Sequence, residues 1–275
     1  MIAFLPARIG VFDAMRALTP CAALWLAAAA HGGEFVAPYV DTVEEDVEMI
    51  LELAGVGPGD YLIDLGAGDG RFVIGAAQRG ALAHGVELEP TLVERARANA
   101  ERAGLSDRTR FEIGDLFKAD ISMATVVTIY LFPEANIALR PKLLAELAPG
   151  TRLVSNSFHM GDWAPDARAQ GRTSGGALLW VIPANAAGVW RFATPHGPAR
   201  LTIEQRFQRI DARVEINGAL VPLESAVLRG DVLQCVAAGG TLTLHGRIGG
   251  AEMTGQLTLS GDRIPLMAIR DSATP

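Results

Sequence analysis

Between residues 42 and 182 the apolar positions switch repeatedly between a helical and a strand-like spacing. Val43, Val47, Ile50, Leu51 and Ala54 recur at the 3.6-residue period, and Thr42 followed by Glu45 is the pattern of a capping box opening that helix. Gly55, Gly57, Pro58 and Gly59 end it, and Tyr61, Leu62 and Ile63 then predict a strand leading to a helix over 71–78. The cycle recurs with a strand over 81–86, a helix opened by Pro90 and closed by Gly104, and a strand over 109–113. An apolar, β-branched run over 124–131 has the composition of a strand buried on both faces. Pro133 opens a further helix, which Pro141 is expected to interrupt, and a strand over 151–155 follows. This alternation predicts an α/β fold with a Rossmann-like, doubly wound, mostly parallel sheet. Segments 178–182 and 189–192 are expected to add an antiparallel hairpin at its edge.

After about residue 198 the rhythm changes. Turn signals at Asn217-Gly218, Gly230-Asp231, Gly239-Gly240, Gly249-Gly250 and Gly261-Asp262 separate short alternating segments. Turns every ten to twelve residues predict an antiparallel meander, a small barrel or sandwich. The organisation expected is an apolar leader over 1–30, an α/β domain over 38–195 and a C-terminal antiparallel β domain over 198–271.

Charge narrows the partners. Residues 31–185 carry 22 acidic against 13 basic side chains, an excess of nine negative charges. Such a surface is a poor match for a phosphate backbone, so no nucleic-acid partner is expected. Arg8 and Arg16 precede an apolar stretch over 17–30 that ends in Ala28, Ala29 and Ala30, the pattern of an export signal with a small-residue cleavage site. The stretch is short for a spanning helix, so no stable membrane span is expected, and an exported, periplasmic location is favoured over a cytoplasmic one. Removing the leader would leave Cys235 as the only cysteine. His159 and His196 have no partners at ligand spacing, and no metal site is expected.

The chemistry concentrates in Asp64-Leu65-Gly66-Ala67-Gly68-Asp69-Gly70, between the first predicted strand and the helix over 71–78. Alternating glycines after a strand make a tight turn whose backbone N–H groups can approach a ligand closely. The spacing is G-x-G-x-G, whereas dinucleotide sites carry G-x-G-x-x-G, which disfavours an NAD-dependent oxidoreductase. Carboxylates at Asp64 and Asp69 would repel a pyrophosphate but suit a cation and sugar hydroxyls. Glu87 ends the second strand at the offset where nucleotide folds hold ribose hydroxyls, and Asp115 with Leu116 follows the third strand.

Asp64 to Gly70, Glu87 and Asp115 together resemble the S-adenosylmethionine (SAM) site of class I methyltransferases. That resemblance implies SAM as cofactor, held by Asp64, Gly66, Ala67, Gly68, Asp69, Gly70 and Glu87, with Asp115 accepting from the adenine amino group and Leu116 against the ring. More narrowly, Tyr39-Val40-x-Thr42, Tyr130-Leu131-x-Pro133-Glu134-x-Asn136, Leu139-Arg140-Pro141-Lys142 and Met160-Gly161-Asp162-Trp163 are similar to bacterial relatives of the mitochondrial protein-lysine methyltransferases. On that likeness Tyr39 and Thr42 form a flap over the methionine end of SAM, and the acceptor is an amine, a protein lysine ahead of a small molecule. The fourth predicted strand ends in Ile129 and Tyr130, where the histone-lysine enzymes lacking a SET domain carry asparagines. The absence of an Asn/Asp-Pro-Pro-Tyr motif argues against nucleobase amino groups as acceptors. Tyr130, Asn156 and Trp163 are the candidates for lining the acceptor site. The reading from another class is a non-catalytic SAM-binding or interaction protein.

Overall fold

The computed structural model describes residues 42–172 and 175–271; the leader expected over 1–30 and the flap residue Tyr39 lie outside them. Strands β1 (Tyr61–Leu65), β2 (Leu82–Glu87), β3 (Thr109–Ile113), β4 (Val126–Ile129) and β5 (Arg152–Asn156) are parallel; β7 (Ala177–Val181) pairs antiparallel with β5, and β6 (Ala167–Ala169) pairs antiparallel with β7 at the edge. Their order is β3-β2-β1-β4-β5-β7-β6, so the winding reverses between β1 and β4. Open α/β sheets bind ligands outside the carboxyl ends of the strands at such a reversal.

Helix α1 (Glu44–Ala54) precedes β1, and α2 (Arg71–Gln78), α3 (Pro90–Arg102) and α4 (Pro133–Glu146) connect the parallel strands. Neighbouring residues of one strand point to opposite faces, and Leu62 and Ile63, Leu153 and Val154, and Leu179 and Trp180 are all buried. The sheet is therefore covered on both sides. Leu62, Val154 and Leu179 share one core with Val47, Ile50 and Leu51 of α1, Val73 and Ala76 of α2, and Val93 and Ala96 of α3.

Three local expectations are corrected. The capping box does not form: Val43 is the cap residue of α1 and makes no side-chain bond. The Thr42 hydroxyl instead accepts from Asn156 Nδ2 at 3.3 Å, a tertiary partner displacing the local one. Helix α4 runs through Pro141 without ending. Leu139 and Leu143, buried on either side of it, anchor both halves and offset the lost backbone bond. The strand expected over 189–192 is not in this sheet either. Strand β7 is buried at every position, whereas β8 (Gly188–Thr194) buries Trp190 and Phe192 and leaves Arg191 exposed. One-sided burial suits a sheet with one wet face, and that is where β8 lies.

That second sheet is antiparallel and has nine strands. After β8 come β9 (Gly197–Arg206), β10 (Arg209–Ile216), β11 (Ala219–Val221), β12 (Leu223–Arg229), β13 (Val232–Ala237), β14 (Leu242–Gly249), β15 (Glu252–Leu259) and β16 (Asp262–Arg270). The last strand closes back on β8, giving the order β11-β10-β9-β8-β16-β15-β14-β13-β12. Its core begins at Ala184 and centres on Trp190, Leu201, Val214, Leu233 and Leu244.

Gly85 of β2 gives the glycine turn its room. A Cβ there would lie 2.7 Å from the Ala67 Cβ and 2.8 Å from Phe111 Cδ1. Gly85→Ala is expected to cost about 1–3 kcal/mol by overpacking, read as a lower urea midpoint with unchanged m-value. An unchanged midpoint would show that the turn has slack.

Candidate functional site

The turn after β1 is built on left-handed glycines, Gly66 (φ 89°), Gly68 (φ 54°) and Gly70 (φ 85°). Gly66 N–H and Ala67 N–H both donate to the Val86 carbonyl, at 2.9 and 3.0 Å, pinning the turn over the end of β2. Gly70 also lacks space, since a Cβ would meet the Phe111 ring at 2.8 Å. The next backbone donor, Gly68 N–H, gives its bond to Glu87 Oε2 at 2.8 Å. Glu87 Oε1 accepts from Leu88 N–H and Glu89 N–H at 2.8 and 3.0 Å. Backbone N–H groups thus hold this carboxylate in one orientation at the carboxyl end of β2, with lone pairs left for hydroxyl donors.

Asp64 ends the same way on β1, but buried. The Thr128 hydroxyl of β4 donates to its Oδ1 at 2.7 Å across the reversal point. Its Oδ2 is buried and has no hydrogen-bond partner. Burial pushes the Asp64 carboxyl up to about 7, with the negative charges of Glu87 and Asp69 adding to the rise and the Thr128 bond opposing it. A buried carboxyl with one unmatched oxygen is expensive unless a cation arrives.

Asp69 has a different task. Arg71 Nε and Nη2 grip its carboxylate at 2.8 and 2.7 Å, and Arg71 Nη1 donates to the Thr42 carbonyl. The Asn99 amide also donates to the Asp69 carbonyl at 2.8 Å. Asp69 therefore ties the turn to the segment entering α1. Sequence reading missed Arg71, Asn99 and Thr128; an arginine two residues after Asp69 was the one visible signal.

Asp115 follows β3, completing a row of carboxylates at the ends of β1, β2 and β3. Its Oδ1 accepts from Phe117 N–H at 2.9 Å, and Lys118 lies 3.2 Å from Oδ2. The Phe117 bond first, and Lys118 after it, hold this carboxyl below the usual range. Leu116 beside it is half-buried.

Across the reversal, Leu131 lies against Gly66, 3.5 Å from where a Cβ would stand. The flanking rings of Tyr130 and Phe132 both meet Phe158, with centroids 6.0 and 5.7 Å apart. All three rings are partly exposed and form an aromatic wall beside the glycine turn. Phe132 and Phe158 were not singled out from sequence, although the spacing Tyr130-x-Phe132 was a signal. Asn156, buried, bridges the Thr42 and Ser157 hydroxyls, at 3.3 and 3.0 Å. Trp163 is also buried, but its Nε1 donates to Gln208 Oε1 at 2.8 Å and its ring meets Phe207 and Trp180. Its contacts run to Trp180 of β7 and to the turn between β9 and β10 of the second sheet, not to the glycine turn. Among the described residues no cluster of three His, Cys, Asp or Glu side chains is placed to hold a metal ion.

The ANTKMT methyltransferase domain model matches residues 64–167. A protein-lysine N-methyltransferase of Saccharolobus islandicus (strain REY15A) is 45% identical over 130 residues, covering 46% of this chain and 81% of that protein. The adenine nucleotide translocase lysine N-methyltransferase of Mus musculus is 41% identical over 129 residues, where the chain spans 56% of that protein's length. Among solved structures, an RNA methyltransferase from Salinibacter ruber in complex with S-adenosyl-L-homocysteine is 50% identical, with a TM-score of 0.52 over 53% of this chain and 95% of that one.

Cofactor affinity should follow the ionisation of Asp64. Its carboxyl must be charged to pair with an ammonium group, so affinity is lost as pH falls through about 7. Calorimetry from pH 7.5 to 5.5 is expected to show S-adenosylhomocysteine binding weaken by about tenfold, with this dependence abolished in Asp64→Asn. Thr128→Val removes a bond that favours the anion and moves the midpoint upward. A flat profile in the wild type would refute this assignment.

Proposed function

Because the chain belongs to the class I SAM-dependent methyltransferases related to the protein-lysine N-methyltransferases, we propose that it methylates the side-chain amine of a protein lysine. The observation that carries the cofactor side is the unmatched, buried Asp64 oxygen beside the fixed Glu87 carboxylate. An ammonium and a ribose diol are the groups these two sites suit, and SAM carries both. When bound, SAM supplies the electrophilic methyl group and its own leaving group. The protein is left with positioning and the exclusion of water. Glu87 orients the sugar, Asp64 takes the amine, and Asp115 with Leu116 frames the base.

On the acceptor side, the wall of Tyr130, Phe132 and Phe158 suits an alkyl chain ending in an amine: apolar faces for the methylenes, π-faces for the cationic head. A lysine must lose its proton before it attacks; desolvation in a partly dry mouth lowers the amine's affinity for that proton, against the rings' hold on the cation. Thr42, held by Asn156 and Arg71, covers the methionine end of the cofactor in this reading. The excess of negative charge over residues 31–185 favours protein over RNA as acceptor, despite the Salinibacter relative's description. Residues 1–30 act as an export signal, and the second sheet forms a separate C-terminal domain.

Incubation with methyl-labelled SAM and cell proteins is expected to yield labelled methyl-lysine on acid hydrolysis. Glu87→Ala should reduce cofactor affinity by about tenfold or more, as for a lost bond to a charged group. Label recovered in RNA, or bound cofactor with no transfer to any fraction, would overturn the acceptor assignment. Sequencing of the mature native chain should begin near residue 31; a chain starting at Met1 or Met15 contradicts export.

A further inference from the structure

We infer that the second sheet serves the transfer site through the turn between β9 and β10, where Phe207 and Gln208 are positioning residues for the aromatic acceptor wall. This rests on the reading above for what the wall receives. Phe158 lies in a segment over 157–163 that leaves β5, and its near end is held by the first sheet. Ser157 has a left-handed backbone (φ 66°), and its hydroxyl accepts from Gly175 N–H at 3.0 Å while donating to Asn156 Oδ1. The Asn136 amide, fully buried on α4, donates toward the Phe158 and His159 carbonyls at 3.3 and 3.4 Å. Arg140 of α4 donates to the Met160 carbonyl at 2.8 Å.

The far end is held from the other sheet. Asp162 is gripped on one oxygen by Arg140 and on the other by Arg206 of β9, each at 2.5 Å. Gln208 accepts from Trp163 Nε1 at 2.8 Å and donates to the Ala164 carbonyl at 2.6 Å. The Phe207 ring stacks on Trp163, with centroids 5.5 Å apart and planes 19° apart, while the Arg140 guanidinium stands 5.2 Å over the same ring. Gln205, on β9 two residues before Phe207, donates to the Ala184 carbonyl and accepts from the Ala186 and Ala187 N–H groups, fixing the chain that passes between the sheets.

The turn also shows that its ring is placed for a purpose. Phe207 adopts φ 55°, a left-handed conformation costly for an aromatic residue. The turn after β10 uses Asn217 and Gly218 at the same kind of angles, as turn chemistry favours. Asparagine would be easier on this backbone, but only the phenylalanine ring makes the contacts with Trp163 and Arg140. Only four residues separate Phe158 from Trp163, so slack at the tryptophan passes to the wall through a short segment.

Phe207→Asn removes the ring while relieving the backbone, so the fold should survive. Hydrogen exchange on the full chain, with and without S-adenosylhomocysteine, is expected to run about tenfold faster over 157–163. Exchange over 64–70 and the ligand's Kd should stay within about twofold, and Phe207→Tyr should restore the wild-type rate. Gln208→Ala should loosen the same segment. Wild-type exchange over 157–163 in Phe207→Asn would overturn the inference, as would acceleration spread equally to 64–70. If the wild type fails to bind S-adenosylhomocysteine, the proposed function falls, while the ligand-free exchange comparison still decides the role of the turn.

Discussion

A carboxylate kept out of water at the end of β1 is the constraint around which the molecule is arranged. Asp64 sits where the strand order reverses, bonded to Thr128 from the strand on the other side. Burial makes its charged form costly, and the free protein bears that cost at neutral pH. The raised carboxyl favours the folded state most at acid pH, and that contribution is lost as pH rises through about 7. A cationic ligand reverses the balance by stabilising the anion in place. In the proposed reading the site therefore suits an amine-bearing cofactor better than a phosphate.

The remaining architecture supplies orientation. Glycine conformations let backbone N–H groups wrap Glu87, and Gly85 keeps β2 thin enough for the turn to lie over it. Arg71 and Asn99 then fasten the turn to α1 and α3, so the carboxylates do not depend on a mobile loop for their placement. On the acceptor side the supports come from α4 and from the second sheet, meeting at Asp162 and Trp163. Methyl transfer needs little acid–base chemistry from a protein, and most of the polar contacts here hold loops rather than face outward.

Much of this was legible in the sequence. The parallel strands, the glycine turn and the carboxylates at Glu87 and Asp115 follow from period and spacing, because each is local along the chain. What failed was decided by tertiary partners. Thr42 bonds Asn156, 114 residues away, in place of its own helix. Pro141 sits within a helix because buried leucines hold both halves. The strand at 189–192 looks like an edge strand from its composition, yet its alternating burial sends it to the second sheet. Trp163 is a candidate from sequence for lining the acceptor site, but nothing nearby along the chain announces Phe207 and Gln208, its partners 44 and 45 residues on.

The most direct measurement is a carboxyl-carbon NMR titration of Asp64 in the free protein and with S-adenosylhomocysteine. Titration near 7 in the free chain, falling by about two units or more on binding, is the predicted result. An Asp64 signal that titrates unchanged in the complex would mean that the buried carboxylate does not hold the cofactor's amine, contradicting the account at its base.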